Sequence, residues 1–147
     1  MQHATQRTTQ HGAALVEFAL ILPLLLTLTI FVAEFGRAIM YYNTLTKSVR
    51  DAARYLSTKT PGTRLAEAKN LIVYGTPTAG ATALVPGLTT AMVPDPVWQT
   101  QGTLPVINVV TVRVQGYTFR PMWSGVFGKV LNPINFSTVS ASMRTTL

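Results

Sequence analysis

Few side chains in this sequence are of the types that carry out chemistry in proteins. Cysteine is absent, so neither a disulfide nor a thiolate metal site can form. The two histidines, His3 and His11, lie near the N-terminus. No two of the acidic residues form an evident catalytic pair in the sequence. These acids are Glu17, Glu34, Asp51, Glu67 and Asp95.

One of these acids, Glu17, lies inside a long apolar segment. It is the single charged residue from Ala13 to Ala33, and a helix of this segment is about 31 Å long, the thickness of a bilayer's hydrocarbon core. A carboxylate there costs roughly 2.5–3.5 kcal/mol near the bilayer centre and less near an end, so it usually has a functional partner. The segment therefore predicts a membrane anchor, and Glu17 predicts a specific contact within it.

Pro23 interrupts the apolar segment. Proline removes a backbone donor and crowds the carbonyl group of Ala19, which costs roughly 3 kcal/mol in water. Membranes and packed bundles tolerate such a distortion, so we expect a helix kink at Pro23 rather than the end of the helix. The hydroxyl groups of Thr27 and Thr29 are expected to donate to carbonyl groups one turn back.

An ordinary secretory signal is the simplest alternative for this segment. Such signals have a basic region before the apolar core and a small-x-small cleavage site after it. Here Arg7 is the single Lys or Arg before the core, and the residues after Ala33 offer no clean site of that kind. An ordinary signal peptide is therefore the less favoured interpretation.

The residues around Gly12 resemble the processing site of type IV prepilins. Gly12 is followed by four small or apolar residues and then by Glu17-Phe18. The longer run 12–26, the block Glu34-Phe-Gly-Arg-Ala and the block Arg50-Asp-Ala-Ala-Arg-Tyr resemble the TadE-like family. Members of that family are minor pilin-like subunits of the tight-adherence (Tad, Flp) pilus apparatus.

The resemblance implies that a prepilin peptidase cuts the chain after Gly12. Residues 1–12 would be the leader, Ala13 would become the N-terminus, and Glu17 would be fifth in the mature chain. In pilin-like assemblies the corresponding carboxylate meets the new amine of a neighbouring subunit, so Glu17 and Phe18 are the expected assembly residues. A chain starting at Ala13 would have neither His nor Cys, which removes the usual zinc sites and nucleophilic triads. We therefore expect no enzyme, no metal and no cofactor.

The family also implies a cellular setting and a set of partners. A minor pilin (pseudopilin) of this kind takes part in pilus assembly, surface adhesion and secretion as a structural subunit. It is expected in the bacterial inner membrane as a single-pass protein, with its C-terminal domain on the periplasmic side or in the pilus at the cell surface. The expected partners are the prepilin peptidase, the major Flp-type pilin and other minor pilins, the inner-membrane assembly platform, and membrane lipid.

Positive charge is concentrated in one part of the chain. The formal net charge is +7, and seven of the twelve Lys and Arg residues lie between Arg37 and Lys69. With no aromatic interleaving and no nucleic-acid motif, this cluster favours anionic lipid or a protein partner over nucleic acid. The Lys and Arg near the anchor would alone place the C-terminal domain in the cytoplasm. We follow the family resemblance, which implies the opposite side.

Beyond the apolar segment, hydrophobic residues recur every three or four positions, which predicts that the helix continues to about Ser57. The long helix thus covers 13–57 and spans the membrane in its first half. Glu34 and Arg37 have the spacing of a helical ion pair. The predicted apolar stripe contains Phe35, Ile39, Tyr42, Leu45, Val49, Ala52 or Ala53, and Leu56.

Residues 58–147 are expected to form a globular α+β head like that of type IV pilins. A short helix is predicted over 64–74, with Thr63 as a candidate N-cap and Gly75 just past its end. The loop expected over 120–133 carries apolar residues, including Met122 and Trp123. They could cover a sheet edge or contact a partner, and of these we expect that they cover the core. The sheet should be small and mainly antiparallel, with one face covered by the amphipathic part of the long helix. The predicted strands are 83–85, 88–93, 106–119 and 135–145.

A second functional interpretation remains open at the level of the sequence. The chain could be a single-pass anchored envelope protein whose β-rich domain binds a ligand or partner and never assembles. The two interpretations differ at the N-terminus, because only the pilin requires a mature chain that starts at Ala13.

Overall fold

The computed structural model describes residues 7–123, 125–126, 129–130 and 132–146. The described residues form two compact units. The first comprises those of Met1–Arg37 and Pro121–Leu131, and the second those of Ala38–Arg120 and Asn132–Leu147. Residues 1–6, which are half of the predicted leader, lie outside the described residues, and the leader boundary stays a prediction.

The first element is one long helix, α1, over Arg7–Ser57. It ends where the sequence predicted, but it begins earlier, so Gly12 and Ala13 are helical. It also continues through Pro23, as expected. The threonine bonds are confirmed, because the hydroxyl groups of Thr27 and Thr29 donate to the carbonyl groups four residues back, each at 2.8 Å.

The part of α1 in the second unit has one buried face. From Leu45 onward, the buried positions match the predicted stripe. The side chains of Ile39 and Tyr42 were predicted to be buried, but they are 46% and 42% exposed. The same prediction was wrong for Phe35, which lies in the first unit and is exposed. Ala38, which was not predicted, is buried together with the predicted Leu45. They lie seven residues apart, within about 20° of two full turns, whereas Ile39 is rotated by about 100° from Ala38. The buried stripe positions are Leu45, Val49, Ala52, Ala53 and Leu56.

A second helix, α2, covers Leu65–Tyr74. The prediction of Thr63 as its N-cap was wrong: the cap is Arg64, in a left-handed conformation with φ of 57°. The hydroxyl group of Thr63 donates instead to the carbonyl group of Thr60 within the preceding turn, at 2.6 Å. Gly75 ends the helix as predicted, with a left-handed φ of 77° that glycine adopts without strain. The buried residues of α2 are Ala68, Ile72 and Val73.

The described strands are β1 Val97–Gln101, β2 Ile107–Val114, β3 Thr118–Phe119, β4 Gly125–Val126, β5 Lys129–Val130, β6 Ile134–Asn135 and β7 Val139–Arg144. The main sheet has three antiparallel strands in the order β1-β2-β7. Two further pairs, β3 with β6 and β4 with β5, are also antiparallel. This arrangement confirms the α+β fold with a small antiparallel sheet.

Several predicted strand boundaries were wrong. The stretches 83–85 and 88–93 are not strands, since they form a loop with a short 3-10 helix over Thr90–Met92. Strand β1 was not predicted. The predicted strand 106–119 is divided by a turn at Gly116, where φ is 72°. The segment predicted as a loop over 120–133 contains the short β4–β5 pair.

The core of the second unit lies between the helices and one face of the main sheet. The alternation of β2 is confirmed, because Val110, Val112 and Val114 are buried and Arg113 is exposed. Their partners across the sheet belong to β7, where Val139 is buried opposite Val114. Residues of α1, α2 and β2 join one apolar cluster. The long helix therefore covers one face of the sheet, as predicted.

A polar cluster joins the end of α1 to the start of α2. The hydroxyl group of Tyr55 donates to one carboxylate oxygen of Glu67, and the guanidinium group of Arg64 lies 2.5 Å from the other. The hydrogen bond from Tyr55, followed by that from Arg64, lowers the pKa of Glu67. Because the pKa of Glu67 is lower in the folded state, these two hydrogen bonds stabilise the fold fully above the unfolded-state pKa of Glu67. Their stabilisation is lost as the pH falls through the folded-state pKa.

The observed helix face gives a direct stability test. Leu45 is fully buried, so Leu45→Ala should lower the free energy of unfolding by about 2–5 kcal/mol. Ile39→Ala is the matched control and should change it by less than about 0.5 kcal/mol, because Ile39 is exposed. Urea unfolding of the full chain in detergent, followed by tryptophan fluorescence, measures both. Equal losses from the two substitutions would contradict the helix phase described above.

Candidate processing and assembly site

All predicted processing and assembly residues lie on α1 within the first unit. Gly12, Ala13, Glu17 and Phe18 are exposed. Four residues separate Ala13 from Glu17, which is about 6 Å along the helix axis. In the part of the chain that the structure describes, the carboxylate of Glu17 has neither a hydrogen bond nor an ion pair. The structure therefore places the acid one turn from Ala13 and gives it no partner from the described residues.

Gly12 has no packing role in the described structure. A Cβ atom added there would meet nothing within 4 Å. A glycine inside a helix is less stable than alanine by roughly 0.5–1 kcal/mol, because it loses more backbone freedom on folding. Folding of this chain thus gives no reason for glycine at position 12. A close approach by another molecule, such as a protease, does give one.

The helix around this site is long and apolar enough to cross a membrane. None of its most apolar stretch is buried against the rest of the described chain, so it is not the core helix of a soluble domain. Phe18, Leu20 and Leu24 are 57%, 75% and 69% exposed in the absence of lipid. The length and composition of this helix indicate a single-pass membrane anchor. Pro23 lies within it and is half-buried.

A second carboxylate marks the end of the apolar segment and has its partners within the same unit. Glu34 is buried, and its Oε2 lies 2.6 Å from Nη2 of Arg37, which confirms the predicted helical pair. Its Oε1 accepts a hydrogen bond from the backbone N–H of Met122 at 3.1 Å. The carboxylate thus holds a segment 88 residues away in the sequence against the helix.

The contact between Glu34 and Met122 is the feature of this region that sequence reasoning missed. The spacing of Glu34 and Arg37 predicted their pairing, but nothing in the sequence indicated the backbone donor. The expectation that Met122 and Trp123 cover the core was also wrong, because they are 76% and 56% exposed. The available signal was an acid placed directly after an apolar segment, where a buried carboxylate needs donors.

Comparison with known families supports the assignment made from the sequence. The family model described as TadE-like protein matches residues 12–54, which include Gly12, Glu17, Glu34 and most of α1. This match confirms the resemblance to the TadE-like family over that part of the chain and indicates a protein associated with the Tad pilus. No curated protein and no solved structure matches the chain.

Removing the carboxylate of Glu34 should release the segment that begins at Pro121. Loss of a hydrogen bond to a charged acceptor costs about 1.5–3 kcal/mol, so Glu34→Ala should speed amide exchange at Met122 by roughly 10- to 100-fold. Glu34→Gln retains an acceptor oxygen and should have a smaller effect. Hydrogen–deuterium exchange of the full chain in detergent measures this, with Glu67→Ala as a control for acid removal elsewhere. Unchanged exchange in Glu34→Ala would show that the bond does not hold the segment.

Proposed function

We propose that this chain is a minor pilin (pseudopilin) of a Tad/Flp-type pilus, acting as a structural subunit in assembly and adhesion rather than as an enzyme. The observation that carries the proposal is the carboxylate of Glu17, which lies on an exposed apolar helix and has no partner among the described residues. The match to the TadE-like family over residues 12–54 supports it. The freedom of space around Gly12 supports processing at that position.

Cleavage after Gly12 would supply a partner for Glu17, which has none in the part of the chain that the structure describes. Hydrolysis of the peptide bond between Gly12 and Ala13 produces a new α-amine, which is positively charged at neutral pH. The amine of one subunit and the carboxylate of its neighbour would neutralise each other in an apolar setting. A buried charge whose partner is removed costs about 3–5 kcal/mol, so the pairing selects subunits with both groups in place.

The proposal also assigns a place in the cell. The subunit lies in the bacterial inner membrane with its C-terminal domain on the periplasmic side, or in the pilus at the cell surface. Its partners are the prepilin peptidase, the major Flp-type pilin, other minor pilins and the assembly platform. The exposed apolar face of the anchor suits both lipid and the packed core of a filament, because neither offers water.

The experiment is to replace Glu17 and follow recruitment into the pilus machinery. Glu17→Ala should reduce co-purification with the other pilus components by more than about tenfold, as expected for a loss of about 3–5 kcal/mol. Glu17→Gln should behave in the same way, because it keeps the size of the side chain and removes only its charge. Both variants should still be found in the membrane fraction.

Two controls make the result specific. Glu67→Gln removes an acid of the second unit and should leave co-purification unchanged. Amide exchange over the main sheet should match the wild type in the Glu17 variants, which separates assembly from folding. Unchanged co-purification of Glu17→Ala would contradict the proposed role and favour an anchored envelope protein that does not assemble.

A further inference from the structure

The first unit exposes two large apolar side chains outside its helix. Met122 is 76% exposed and Trp123 is 56% exposed, and both follow Pro121. Adjacent exposed side chains of this size are unusual on a surface that faces only water, and they commonly mark a contact with a membrane or a partner. They need an explanation that the assembly role of Glu17 does not supply.

Glu34 holds the backbone that carries these side chains. The backbone N–H of Met122 donates to the carboxylate of Glu34 at 3.1 Å, and Glu34 directly follows Ala33, the last residue of the apolar segment. Consecutive Cα atoms are about 3.8 Å apart, so Trp123 also lies near this level of the helix. Because the segment 13–33 is about as long as the hydrocarbon core is thick, its end marks the membrane boundary.

The chemistry of the segment 121–123 suits the boundary between lipid headgroups and acyl chains. Tryptophan prefers that depth, since its ring is apolar and its indole N–H can still reach water or headgroups. Irregular backbone near a membrane requires satisfied polar groups. Pro121 has no N–H to satisfy, and the N–H of Met122 is bonded to Glu34. The carboxylate is in turn paired with Arg37.

We propose that Met122 and Trp123 form a second membrane contact of this chain, inserted into the interfacial layer of the bilayer beside the end of the anchor. The occupant of this surface is phospholipid, because Met122 is bonded to Glu34 directly after the apolar segment of the membrane helix. The contact would fix the depth and rotation of the first unit, which a single helix leaves free. This membrane contact does not require the chain to enter a filament. It can therefore be tested separately from the proposed pilin role.

The two tryptophans of the chain allow a direct test. Trp98 packs partly buried against the core of the second unit, whereas Trp123 is exposed. The full chain is reconstituted at low density in phosphatidylcholine–phosphatidylglycerol vesicles that contain lipid brominated near the headgroup, which quenches fluorescence on contact. In Trp98→Phe the remaining Trp123 should be quenched several-fold more strongly than the remaining Trp98 in Trp123→Phe.

The difference between wild type and Trp123→Phe reports on Trp123 even if Trp98→Phe fails to fold, because Trp123 is a surface residue. Glu34→Ala should lower the lipid quenching of Trp123, and Glu67→Ala should leave it unchanged. Equal, weak lipid quenching of both tryptophans would overturn the proposal. So would protection of Trp123 from a water-soluble quencher without lipid quenching, which would assign the surface to a neighbouring protein subunit.

Discussion

The carboxylate of Glu17 is the constraint on which the rest of this molecule depends. It is carried by an apolar helix that the described chain leaves unburied, and there it has no partner among the described residues. An acid in such a setting is costly unless a positive group reaches it. The chain places Ala13 one turn away, where a new terminus would provide that group. In the proposed function, a single side chain thus links the membrane segment to processing and assembly.

The carboxylates of Glu17 and Glu34 both lie on the helix of the first unit, and both need positive or hydrogen-bonding groups. They differ in where those groups come from. Glu34 is buried and takes its donors from its own chain, namely Arg37 and the backbone of Met122. Glu17 lies on the same helix, and none of the described residues gives its carboxylate a hydrogen bond or an ion pair. A carboxylate that is satisfied internally stabilises a fold, and one that is not satisfied is available to a partner. This contrast explains why the first is structural and why the second is the candidate assembly residue.

The sequence predicted the parts of the structure that depend on local pattern. The end of α1 at Ser57, Gly75 after α2 and the alternation of β2 all follow from periodicity and turn chemistry. Local patterns do not fix the phase of a helix against a distant element, so Ile39 was placed on the wrong face. Strand β1 carries little hydrophobic alternation, and it is recognised only by its pairing with β2. The bond between Glu34 and Met122 has no local signature, because its donor is a backbone group 88 residues away.

The central claim is tested most directly by the intact mass of the protein purified from its native host. Our account predicts a chain that begins at Ala13, so that a free amine lies one turn from Glu17. Replacing Gly12 by a bulky residue should leave the full-length precursor, which provides the reference mass. A native protein that still carries residues 1–12 would contradict the account, because Glu17 would then have no new amine to meet.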